Sequence, residues 1–139
     1  MQAIEISLTG LDVEWRRLEI ISQNLANADI AVSGKAAPYQ AQHLLSGPRN
    51  DFSTYLDAGH STSGINVSRL GGVAEYGLQA GNASPHLVHE PANPHANANG
   101  FVAYPSIDHA EQMVSLVKTQ RAYEANIVAM NTAREMYSN

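Results

Sequence analysis

IEISLTGLDVEWRRLEIISQNLANA, residues 4–28, is the stretch on which the reading of this chain turns. Within it Ile4, Leu8, Leu11, Trp15, Leu18 and Leu25 recur at alternating spacings of four and three, with Ser22 the one polar interruption. A period of about 3.5 residues is what keeps an apolar edge of one helix against another over many turns. The far end of the chain repeats the rhythm in Met113, Leu116, Tyr123, Ile127, Met130 and Tyr137, interrupted by Gln120 and Arg134. The two ends therefore read as helices that pair with each other. Gly10 is the weak point of the first, because an interior glycine costs about 0.5–1 kcal/mol relative to alanine. That helix depends on packing more than on propensity.

Between the stripes the sequence changes character. IAVSGKAAP, residues 30–38, is a small-residue loop punctuated by Gly34 and Pro38. PYQAQHLLSG, residues 38–47, alternates roughly and predicts an extended strand. Residues 47–64 are turn-rich, and further short strands are expected over Ile65–Leu70 and Gly72–Leu78, with Gly71-Gly72 as a turn or bulge between them. Residues 81–100, GNASPHLVHEPANPHANANG, hold three prolines and four asparagines, a composition that blocks helix interiors and central strands and predicts an extended, turn-linked path. Phe101, Val102 and Tyr104 give one more brief extended piece. Ser106 and Asp108 then offer N-caps, with Glu111 three residues past Asp108 as in a capping box. From there to about Tyr137 neither glycine nor proline occurs, and some 30 helical residues would span about 45 Å. Such a helix calls for partners outside its own chain.

The fold class expected is thus α+β: long terminal helices paired as a coiled coil, with a small, loop-rich β-containing middle. The corresponding divisions are residues 1–30, 31–105 and 106–139. Only 6% of the 139 residues are aromatic, so the core is expected to be thin. The net charge of −5 is dispersed, and the densest basic spot, Arg16-Arg17, is flanked by Asp12, Glu14 and Glu19. That arrangement argues against a surface that tracks nucleic-acid phosphates. Cysteine is absent, which excludes disulfide scaffolds, thiol nucleophiles and cysteine zinc sites. The first residues lack the basic and apolar regions of a cleavable signal peptide, and no run approaches the roughly 18 apolar residues of a membrane span. Neither direct membrane insertion nor the general secretory route is expected.

Few groupings carry chemistry. His86, His89 and His95, with Glu90 beside the second, could in principle present imidazoles to a metal as a soluble metal-dependent enzyme would. Pro85, Pro91 and Pro94 impose an extended path, however, and solvated loop histidines explain the segment better. Ser106, Asp108 and His109 include the residue types of a hydrolase triad but stand too close in sequence to align across a helix cap. No catalytic, cofactor-binding or metal-binding residue is assigned. Trp15 reads as a packing anchor. Asn24, Asn27, Asn126 and Asn131 are mediocre helix formers on helical stretches, and a buried asparagine at a helix contact can fix register.

Two of those asparagine-bearing stretches carry a resemblance. SQNLANA, residues 22–28, resembles the S-x-N-[LI]-A-N signature of the bacterial flagellar axial proteins, which comprise rod, hook and hook-associated members. Arg121-Ala122-Tyr123-Glu124-Ala125-Asn126 is similar to their C-terminal R-x-Y-x-A-N. Glu90, Pro91, Pro94, Gly100, Phe101, Val102, Pro105, Ser106 and Ile107 fill a pattern similar to that of proximal rod members, which argues against another rod subunit such as FlgB. The short middle argues against the larger distal-rod and hook members. The resemblance implies a structural subunit without enzymatic activity or cofactor, in the proximal rod spanning the periplasm. It implies terminal helices that line a tubular assembly, and passage through the flagellar type III export apparatus. The partners it implies are further copies, other rod proteins of the FlgB, FlgF and FlgG types, and the basal-body adaptor FliE. The expected assembly edge comprises Leu8, Leu11, Trp15, Leu18, Asn24, Leu25, Asn27, Met113, Leu116, Tyr123, Asn126, Ile127 and Met130.

Overall fold

The computed structural model describes residues 2–32, 36–50 and 71–138. Helix α1 spans Gln2–Asn27 and helix α2 spans His109–Ser138, within a few residues of the expected limits. Asp108 caps α2: its Oδ1 accepts from the amides of Ala110 at 2.9 Å and Glu111 at 3.4 Å. The two helices pack on each other. Asn24 meets Gln112, and Gly10 meets Asn126, so they run antiparallel. A Cβ on Gly10 would lie 3.0 Å from Asn126 Nδ2. The glycine that weakens α1 is what lets the helices approach there.

Among the described residues, two antiparallel ribbons lie between the helices. Strand β1, Gln42–Pro48, pairs with β2, Val73–Ala80, from Gln42↔Ala80 to Pro48↔Val73. The register shifts between Leu45, opposite Gly77, and Ser46, opposite Glu75, which leaves Tyr76 as the extra residue of a bulge. Strand β3, His86–His89, pairs with β4, Phe101–Tyr104, and Val32 adds a single bridge to Ala103. The strand expected at 38–47 thus starts four residues later. The one expected over Ile65–Leu70 lies outside the described residues.

A strand at His86–His89 was not expected, and the asparagines explain it. Asn93 Oδ1 accepts from the His95 amide at 2.9 Å, and Asn97 Oδ1 from the amides of Asn99 at 2.9 Å and Phe101 at 3.0 Å. These local bonds fold residues 90–100 back on themselves and close a hairpin with Glu90 N bonded to Gly100 O at 2.9 Å. The proline-bordered strand belongs to a two-stranded ribbon, where no central position has to be filled.

The core is thin. Among the described residues the buried apolar side chains are Val13, Ile20, Ile21, Ala28, Val102, Pro105 and Ala133, and the buried polar ones are Asn24, Gln112 and Thr119. On α2 the buried positions Gln112, Thr119 and Ala133, together with Asn126 against Gly10, fall at steps of seven. The α2 side of the line that closes the helix pair is therefore made of amides, a hydroxyl and small side chains, and it faces an α1 side that includes Ile20 and Ile21. The large apolar stripes lie beside it. Trp15 packs its ring against Tyr123, with centroids 6.4 Å apart, yet remains 64% exposed rather than serving as a core anchor.

Candidate assembly interface

The helix pair sorts the expected residues into three groups. Leu8, Trp15 and Met113 are exposed. Leu11, Leu18, Leu25, Leu116, Tyr123, Ile127 and Met130 are half-buried, forming a shoulder between the closing seam and solvent. Of the asparagines, Asn24 is buried, while Asn126 is half-buried at the Gly10 approach. Asn27 donates to the Gln23 carbonyl of its own helix at 2.7 Å, and Asn131 is exposed. The stripes identified from periodicity are thus half-buried for the most part and exposed at Leu8, Trp15 and Met113.

Sequence reasoning missed the seam itself. Gln112 and Thr119 are polar and do not register in an apolar pattern, although their seven-residue spacing with Asn126 and Ala133 is legible once sought. It also missed Val114, Val117, Val128 and Met136, which extend the exposed apolar surface of α2. None of these sits at an alternating four-three step with the predicted stripe.

Among the described residues, three polar ties hang the β1–β2 ribbon on α1. Asn24 binds both backbone groups of Gln42, and Arg17 Nη2 donates to Ser46 Oγ at 2.8 Å. Thr9 Oγ1 accepts from the Val73 amide at 3.0 Å. Thr9 itself is why Gly72 stands where it does: the glycine has φ of 75° and a Cβ there would lie 2.3 Å from Thr9 Oγ1. The ribbon is thereby held along one helix, leaving the outer faces of the pair clear.

Where α1 ends and α2 begins, a cleft of about 680 Å³ is lined by Asp29, His86, Glu90, Tyr104, Asp108 and His109, among others. Its polar groups are engaged locally. Glu90 Oε2 accepts from Tyr104 Oη at 3.1 Å and from Asn93 Nδ2 at 2.9 Å, and His109 Nε2 lies 3.5 Å from Asp29 Oδ1. Partial burial first, and then the Glu90 carboxylate, push the Tyr104 phenol above its usual value. His89 is not turned toward His86 or His95 for a shared ligand. Its ring meets Phe101 edge-on at 5.1 Å. Among the described residues no group of three or more His, Asp or Glu could hold a metal ion. Ser106 makes no hydrogen bond to Asp108 or His109, whose neighbourhood is the cap of α2. Among the described residues, no helix is long and apolar enough to cross a membrane.

Comparison with known proteins agrees with this emphasis on helices. Residues 98–139 match the family described as flagellar basal body rod FlgEFG protein C-terminal. The chain is 33% identical to the flagellar basal-body rod protein FlgC of Bacillus subtilis (strain 168), an alignment that covers 96% of this chain and 91% of the relative. It is 32% identical to FlgC of Salmonella typhimurium over 98% of this chain and 91% of the relative. FlgC of Borreliella burgdorferi is 26% identical over 97% and 91%, respectively.

Proposed function

The chain belongs to the FlgC family of flagellar basal-body rod proteins, and from that premise we infer its work. It is a structural subunit of the bacterial flagellar basal-body rod. The observation that carries the reading to the level of residues is the outer face of the helix pair. Leu8, Trp15, Met113, Val114, Val117 and Val128 are exposed, outside the seam that already closes the hairpin. Removing such surface from water is worth about 25 cal/mol per Å². A lone subunit gains nothing from displaying it, whereas a neighbour that covers it gains a binding site.

In this reading the assembly edge is formed by Leu8, Leu11, Trp15, Leu18, Leu25, Met113, Leu116, Tyr123, Ile127 and Met130. Asn24, Asn27 and Asn126 set the helix geometry behind it. Residues 1–30 and 106–139 build the wall of a tube, and residues 31–105 are displayed outside it. The neighbours are further copies, rod proteins of the FlgB, FlgF and FlgG types, and the adaptor FliE at the base. The subunit passes through the flagellar type III export apparatus and works in the periplasm as part of the proximal rod. There it carries torque from the motor towards the distal rod and hook. Its role is mechanical, with no catalytic step.

The test is to replace Tyr123 and Ile127 by alanine together. Rods and swimming are lost while the variant is still made and exported; normal rods and normal motility would overturn the assignment of this edge. Circular dichroism adds a second arm, because helices that lean on neighbours gain helical signal on assembly. A full complement of helix in the isolated subunit would contradict ordering on assembly.

A further inference from the structure

We propose that Asn24 is a coincidence lock, which lets the β1–β2 ribbon dock only on helices that are paired in the correct register. The side chain is 1% exposed, and its amide offers two donors and an acceptor with two lone pairs. All four are used. Oδ1 accepts from the Gln42 amide at 2.9 Å and from Tyr39 Oη at 2.9 Å; Nδ2 donates to the Gln42 carbonyl at 2.9 Å and to Gln112 Oε1 at 3.1 Å. One residue of α1 thereby joins the first residue of β1, the segment preceding it and the other helix.

The two bonds to Gln42 engage both the N–H and the C=O of a single residue, so the Asn24 amide takes the place that a neighbouring strand would fill. They require one orientation of the amide. Rotated by half a turn, Oδ1 would face the Gln42 carbonyl and Gln112 Oε1, two acceptors, and the NH₂ would face the Gln42 N–H. The Gln42 backbone fixes that orientation, and Gln112 on α2 supplies the acceptor for the remaining Asn24 N–H. A slip of α2 by one turn towards its N-terminus would bring Leu116 opposite Asn24, and leucine has no acceptor. Leaving that buried donor unsatisfied carries the full desolvation penalty.

The other two ties of the ribbon do not depend on α2. Arg17–Ser46 and Thr9–Val73 involve α1 alone. Among the described hydrogen bonds, Asn24 is therefore the point at which pairing of the helices is passed to the ribbon. A chain that assembles its helices late would dock its middle later still.

The test uses the full chain in its helical, assembled form and reads amide hydrogen exchange at Gln42 and Val73. Gln112→Met keeps side-chain length and removes the acceptor. The lock requires exchange at Gln42 to rise about tenfold while Val73 stays within about twofold and far-UV helix signal is unchanged. Equal acceleration at both amides, no change at Gln42, or loss of helix would each overturn it. Combining Gln112→Met with Tyr39→Phe gives a second arm. Because those two side chains are joined through Asn24, their effects on Gln42 should be less than multiplicative, and strictly multiplicative acceleration would also overturn the lock.

Discussion

Gly10 and Asn24 act on the same helix in opposite ways, one by what it lacks and the other by how much it binds. A side chain at position 10 would be driven into Asn126, so Gly10→Val should destabilise the helix pair by about 1–3 kcal/mol in denaturant unfolding. Adding Asn126→Ala should recover part of the loss, since the clash is shared between the two positions. Tyr39 and Tyr104 give a prediction in pH. Burial raises both phenols above 10.0, and for Tyr104 the Glu90 carboxylate adds to the effect. With folded values above the unfolded one, the stability they contribute is complete below pH 10 and declines as pH climbs through the raised values. Absorbance titration should show a late tyrosinate component that disappears in the Tyr39→Phe, Tyr104→Phe double variant. From sequence alone Gly10 was visible as a local weakness, but its partner lies on the other helix and so its purpose was not.

At the scale of elements the helices were legible because apolar periodicity extends over many turns and Asp108 supplies a cap. Asp108→Ala should cost about 1 kcal/mol and fray the first turn of α2, which exchange at Ala110 and Glu111 would register. Strand β3 was not legible. Its composition argued for an open path, and it was local asparagine-to-backbone bonding, rather than strand propensity, that made the hairpin. The inner line of α2 was hidden for a related reason. Periodicity was sought in apolar residues, whereas the residues that repeat every seven positions are Gln112, Thr119, Asn126 and Ala133. The stripe of the candidate site was therefore identified before the face that closes the subunit could be told from the face left open.

For the whole molecule the distinction between those faces predicts a separation of stability from assembly. Ile20 is 2% exposed, and Ile20→Ala should cost about 2–5 kcal/mol of unfolding free energy. Trp15 is 64% exposed, and Trp15→Ala should change unfolding by under about 1 kcal/mol. The same Trp15→Ala should abolish rod formation, scored by electron microscopy and swimming, because exposed aromatics of this kind are frequent hot spots once covered. Equal damage to folding and assembly by Trp15→Ala would contradict the separation.

The polar and small-residue line between the helices has a consequence for a chain that has come open. Separating α1 from α2 uncovers amides, a hydroxyl and a methyl group on the α2 side, from Gln112, Thr119, Asn126 and Ala133, and the apolar side chains of Ile20 and Ile21 on the α1 side. A greasy seam in that place would turn every unzipped molecule into an adhesive. As built, only one wall of the seam is apolar, so the opened form is less sticky than a seam greasy on both sides would make it while it waits for its place in the wall.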